Sequence, residues 1–496
     1  MSKLQNRLKL LFAMGLLLGS IVTAGAQTPQ ATPPPPAPPR SLQVPKPAEK
    51  TLANGLRVIV VERSSTPLVS AQLLIKNGGE IDPPQLAGLA DITASLLTKG
   101  SKSQDATQIA EAIEALGGAL DSGARWDAST ATVGVMSSRI SPALAILADV
   151  VRHPTFKDEE IERLRQQYID NLTVELGQPG SIARLAAARV VFGDAPYGHP
   201  LSGTLESIAR IKREDIVKLH EMYYRPDNAI LIIGGDIGAN DAFALAEKHF
   251  GDWQKPMQIL RPFVFAARVS DPSTRRVLVI DKPDAGQAAV YLARTGISRA
   301  DADYFRGIVA NSVLNGYSGR LNQEIRIKRG LSYGAGSALD ARRSLGPFVA
   351  SAQTKNQSGA QVVELLVGEL GRLATAPVPD AELTPRKAVL IGNFARNLEQ
   401  VNGLVAQVGS LALQGLNLEE INHYVDSVQS VSAGDVQKFA STRLEATGAN
   451  VIVVGNAREF LPELQKQFKD VEVIPIAELD LNSRTLRKTD AGASNN

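Results

Sequence analysis

Imidazole and thiolate are the side chains best suited to hold zinc, and the chain has five of the first and none of the second. His153, His199, His220, His249 and His423 are scattered. No two stand at the close spacing that would put an imidazole pair on one helix face, so the sequence offers no zinc site built from its histidines. Asn315-Gly316-Tyr317-Ser318-Gly319 is a glycine-rich turn that could let backbone approach a ligand or simply open a helix. It is too unlike a phosphate-binding loop to suggest a nucleotide. Charge is balanced, 53 Lys and Arg against 51 Asp and Glu, which argues against a nucleic-acid partner.

Any site must then be positioned by elements read from the rest of the 496 residues, enough for several domains. Lys3, Arg7 and Lys9 precede an apolar run from Leu10 to Val22, and Ala24-Gly25-Ala26 supplies small residues for cleavage. Residues 1–26 are expected to be a secretory signal peptide, too short in its apolar core for a membrane-spanning anchor. Its removal leaves an essentially neutral chain, exported to the periplasm. Residues 27–47 are proline-rich and read as a semi-rigid polyproline II spacer. Residues 482–496 are polar and read as a disordered tail.

Between them lies an internal repeat. Ile208–Leu219 aligns without a gap on Val428–Phe439, and the same offset of 220 carries Leu231–Asp236 onto Val451–Asn456. Each copy reads as an amphipathic helix followed by a buried strand ending at or near Gly. Leu56–Val61 and Arg276–Ile280 open the two copies as strands. The expectation is two homologous α+β halves, each an α/β roll with a largely antiparallel sheet flanked by helices, at 48–255 and 276–481. The proline-bearing stretch 256–275 should link them.

Asn54-Gly55-Leu56-Arg57-Val58, Pro196-Tyr197-Gly198-His199-Pro200-Leu201-Ser202-Gly203-Thr204 and Tyr224-Arg225-Pro226-Asp227-Asn228 together resemble signatures of the M16 (pitrilysin-like, inverzincin) metallopeptidase family. The resemblance runs from Thr51 to about Phe468. In active members the helix that matches Gly88–Gly100 carries His-x-x-Glu-His, two zinc ligands on one helical face and a general base between them. Here those positions are Asp91, Ala94 and Ser95, and the position of a third, acidic ligand on a later helix falls on Asn171. All four chemical positions are changed. Asp91, Ser95 and Asn171 would make at most a weak hard-cation site, and ordinary polar residues on a surviving scaffold are the simpler account.

The second half matches the family where a helix running into a strand presents an Arg and a Tyr, here Arg326 and Tyr333 within Ser318–Tyr333. Gly330 suits the helix C′ position, placing Arg326 in the last turn and Tyr333 at the start of the next strand. In the family setting the guanidinium and phenol bind a peptide carbonyl and its developing oxyanion. Read without that setting, Arg326 complements a helix dipole and Tyr333 is a strand residue.

The resemblance implies a subunit like the alpha-type chains of processing peptidases. Such a chain has no zinc of its own and is inactive alone. It faces a homologous zinc-bearing subunit across a clamshell cavity in a heterodimer that degrades peptides, without an integral membrane anchor. A periplasmic peptide-binding holdase and a structural scaffold are the other readings the sequence leaves open.

Overall fold

The computed structural model describes residues 43–260 and 275–488. The expected signal peptide, most of the proline-rich segment, 261–274 of the linker and 489–496 of the tail lie outside the described residues.

The first half contributes β1 (Ala48–Thr51), β2 (Arg57–Glu62), β3 (Leu68–Ile75), β4 (Ala119–Ala124), β5 (Ser129–Met136) and β6 (Ala229–Gly235). They form one sheet ordered β1-β2-β6-β3-β5-β4, in which only β2 and β6 run parallel. The second half contributes β7 (Val277–Asp281), β8 (Ala288–Thr295), β9 (Ala335–Leu339), β10 (Pro347–Thr354), β11 (Asn450–Gly455) and β12 (Glu472–Pro475). Their order is β12-β7-β11-β8-β10-β9, with β7 parallel to both its neighbours and the rest antiparallel. The repeat is thus two largely antiparallel sheets of six strands, as expected.

The central strands are continuous apolar runs, which indicates burial on both faces. Val58 and Val60 of β2, and Leu231 and Ile233 of β6, face the helices of their own half. Ile59, Val61, Ile230 and Ile232 face the other way, onto Leu404, Val405, Val408 and Leu411. Those four belong to the Val401–Leu413 helix of the second half. The exchange is reciprocal: Ile182, Leu185, Ala186 and Val190 of the Pro179–Phe192 helix pack on Leu278, Ile280, Ala289 and Ile452 of the second sheet. Each half lends one helix to the outer face of the other's sheet, so the halves share a core.

A second junction joins the β4–β5 and β9–β10 turns. The Arg342 guanidinium lies 4.6 Å from the ring centroids of both Trp126 and Tyr197. The next residue, Arg343, donates from its guanidinium to the carbonyls of Lys76 (2.9 Å) and Asp127 (2.7 Å), and from its backbone N–H to the Asp127 carboxylate (2.8 Å).

Folded structure runs past both expected ends. Leu486 is fully buried and Asn482 bonds Thr204 at 2.9 Å, so 482–488 is packed chain and not the start of a disordered tail. One apolar residue in a polar stretch finds a hole in the body. Val44, assigned to the spacer, is buried with its N–H and C=O both bonded to Asn422.

Candidate functional site

The Leu89–Leu96 helix follows Gly88, whose φ of 92° suits a residue without a side chain. Its N-terminus is held by the buried Asp82 carboxylate, which accepts from the N–H groups of Gly88 and Ala90, both at 2.8 Å. A negative group at the positive end of a helix is favourable. Burial nevertheless pushes the Asp82 pKa up against the pull of those two donors.

Asp91 and Ser95 stand one turn apart on the same face, where the family's two ligands would be. The Tyr168 hydroxyl reaches them from the Asp158–Gly177 helix, donating to Asp91 Oδ2 at 3.0 Å and lying 3.1 Å from Ser95 Oγ. A phenol has one proton, so Ser95 is the donor in the second contact. The Ala124 N–H adds a longer bond to Asp91 Oδ1, 3.4 Å. Burial raises the Asp91 pKa against these donors, and burial together with the Asp91 charge raises that of Tyr168. Ala94 is buried and Asn171 is exposed. The side chain that the second helix sends to Asp91 and Ser95 is therefore Tyr168, not Asn171.

This donor set does not fit zinc. It has one carboxylate, a hydroxyl and a phenol held in its neutral form, with no imidazole or thiolate. Among the described residues no group of three His, Asp or Glu is placed to hold a metal. His199 is buried and His220 half-buried, each with ring nitrogens on backbone carbonyls. Tyr168→Phe should cost about 1–2 kcal/mol of stability, because it strips a half-buried carboxylate of its best donor and leaves Ser95 without an acceptor. Urea denaturation checks this, and an unchanged midpoint would mean that the three groups are not coupled.

In the second half the Arg320–Asn322 helical turn continues into a π-turn over Gln323–Ile327, closed by Lys328 N–H to Gln323 C=O at 2.9 Å. Gly330, with φ 63°, ends it as the sequence indicates, its N–H on the Arg326 carbonyl. Tyr333 does not begin a strand: it lies in the loop before β9, with 87% of its surface exposed. Arg326 is half-buried, its guanidinium 5.4 Å from the centroid of Tyr317, itself 71% exposed. Neighbouring cations are paired, Arg320 with Glu382, and Lys328 and Arg329 with Glu324. Among the described residues no carboxylate pairs with Arg326.

Residues 57–203 match the profile described as Insulinase (Peptidase family M16), and 210–390 match the Peptidase M16 inactive domain. Together these span more than half of the chain. It belongs to the M16 peptidase family. An uncharacterized zinc protease of Mycobacterium leprae is 26% identical over 422 residues, covering 83% of this chain and 93% of that one. Another, from Bacillus subtilis, is 23% identical over 392 residues, 79% and 94% of the two chains. The crystal structure of a peptidase M16 inactive domain from Pseudomonas fluorescens superposes with a TM-score of 0.76 at 25% identity, over 83% of this chain and 98% of that one. The periplasmic protease PqqL of Escherichia coli shares the fold at TM-score 0.67 and 15% identity, over 87% of this chain and 51% of that one.

The inactive-domain match begins within the first half, before β6, and ends in the Asp380–Glu399 helix. Asp91, Ala94 and Ser95 lie in the first match, and Arg326 and Tyr333 lie in the second. Sequence reasoning passed over two tyrosines. Tyr168 shares an apolar helical stripe with Ile161, Leu164 and Leu172, one turn before Asn171, and Tyr317 belongs to the glycine-rich turn. Among the described residues no helix is long and apolar enough to cross a membrane.

Proposed function

We propose that this chain is the non-zinc subunit of a two-chain M16 peptidase, exported to the periplasm and inactive alone. Its partner is a homologous chain bearing His-x-x-Glu-His, and the two face each other as a clamshell around a peptide. Metal binding and water activation belong to the partner. This chain holds the peptide: the Arg326 guanidinium and Tyr333 hydroxyl donate to the carbonyl under attack and to the charge that develops on it.

One contrast carries the reading. The Asp91–Tyr168–Ser95 hydrogen bonds occupy the positions that the resemblance assigns to the metal site, whereas Arg326 stands without a carboxylate partner among the described residues, beside the exposed ring of Tyr317. The zinc-protease names of the relatives and a periplasmic structural neighbour are consistent with it.

Affinity capture of the tagged chain from periplasmic extract should recover an M16 chain carrying His-x-x-Glu-His, and the mixture alone should cleave peptides. Elemental analysis of the purified chain should find far less than one zinc per molecule; stoichiometric zinc would overturn the assignment. Suppression of aggregation by a homodimer, with no such partner recovered, would replace it with a peptide-binding holdase.

A further inference from the structure

The contact between Arg326 and Tyr317 is the outcome of three local devices. The first is the π-turn. An i to i+5 bond inserts one residue into the helical count and shifts the following side chains by about 100°, a little over a quarter turn, and such insertions recur at functional sites. The Lys328 to Gln323 bond places that insertion around Arg326. The second device is the mounting of Tyr317. Gly316 at φ 91° and the Gly319 N–H on the Gly316 carbonyl (2.9 Å) close the turn tightly. The Arg386 guanidinium then bonds both the carbonyl and the hydroxyl of Ser318.

The third device is Asn322, only 3% exposed. Its side-chain N–H donates to the Tyr317 carbonyl at 2.5 Å, and its side-chain oxygen accepts from the Ala335 N–H at 3.4 Å. One buried amide therefore fixes both the loop that carries Tyr317 and the strand start two residues beyond Tyr333. The backbone at Tyr317 is held while its ring stays exposed. An exposed ring so firmly mounted would be a liability unless its face were used.

We propose that Tyr317 is a positioning residue for Arg326: its ring face holds the guanidinium and keeps its N–H edge, which meets no carboxylate among the described residues, turned outward for a peptide carbonyl. The inference rests on the oxyanion role proposed above for Arg326. A cation over an aromatic face is held by the ring quadrupole, an interaction that Phe keeps, Leu of similar bulk loses, and the phenol hydroxyl does not supply. That chemistry gives the test a conservative rescue.

Two measurements separate this contact from the role of Arg326. In the first, the full chain is treated alone with phenylglyoxal, and modification of Arg326 is followed by site-resolved mass spectrometry. Tyr317→Leu should raise that rate about three- to fivefold, the worth of one exposed cation–π contact, and Tyr317→Phe should restore it. Equal rates in all three proteins would overturn the proposal. In the second, the reconstituted pair is assayed on fluorescein-labelled insulin B chain. Tyr317→Leu should lower kcat by a similar factor with little change in KM, and should add nothing to Arg326→Ala. A loss in Tyr317→Leu that persists in full on top of Arg326→Ala would show that Tyr317 does not act through Arg326, and would also overturn it. If the modification rates change as expected while Arg326→Ala keeps full turnover, the contact stands and the oxyanion role of Arg326 falls.

Discussion

Arg326→Ala in the reconstituted pair is expected to lower kcat about 100- to 1000-fold, the usual consequence of removing one oxyanion donor. The effect should fall on kcat because the guanidinium meets a neutral carbonyl in the bound peptide and a full negative charge in the tetrahedral intermediate, so its bond strengthens as the reaction proceeds. Arg326→Lys should recover only part of the loss, since an ammonium keeps the charge but not the planar fork. Stability supplies the control. Arg326 is half-buried with no carboxylate partner among the described residues, so neither variant should shift the urea midpoint appreciably. Steady-state kinetics with a labelled peptide reads the result. A kcat within twofold of the parent protein would remove Arg326 from the reaction and leave this chain a scaffold or a binder.

The repeat was legible in the sequence because it is written in strands and helices that keep the same spacing: β3 and β8 sit at equivalent places in the two sheets, and the Arg213–Tyr223 and Ala433–Arg443 helices precede the equivalent strands β6 and β11. The helix exchange was not legible. The Pro179–Phe192 and Val401–Leu413 helices carry apolar residues on most of their surface, which marks them as buried without saying under which sheet. Near Asp91, the family's spacing points to Asn171 on the Asp158–Gly177 helix, whereas the side chain from that helix that reaches Asp91 is Tyr168, because spacing fixes an axial position and not which side chain is long enough to cross. On the other side, Arg326 and Gly330 fell where the motif placed them. Tyr317 was missed because its approach depends on an inserted π-turn, and a periodicity of 3.6 residues contains no signal for one extra residue.

Arg343→Met is expected to destabilise the fold by roughly 2–4 kcal/mol at pH 8.5 and by about half as much at pH 5.5. Arg343 ties the halves together at the turn junction. It faces Glu80, whose side chain is fully buried, at 3.7 Å. The Glu80 carboxylate also accepts from Asn77 (2.9 Å) and from the Gly78 N–H (2.7 Å), and burial outweighs all of these, pushing its pKa up to about 7. Asp127 pushes in the same direction, while Asp82 and Tyr223 feel the Glu80 charge in turn. The sign follows from linkage. A carboxyl near 4.5 when unfolded and near 7 when folded holds its proton more tightly in the native state. Its contribution to stability is therefore complete below pH 4.5 and is lost as pH rises through 7. Removing Arg343 raises the folded pKa further, because the guanidinium is one of the groups holding it down, so the loss at alkaline pH grows. At pH 5.5 Glu80 is largely protonated in the native variant, and the remaining cost is the two carbonyls, of Lys76 and Asp127, that Arg343 no longer bonds. Glu80→Gln in the same chain should abolish the pH-dependent part and leave the rest, a double-mutant cycle that isolates the pair. Urea denaturation at the two pH values measures it, and an Arg343→Met penalty independent of pH would show that Glu80 is not the group Arg343 serves.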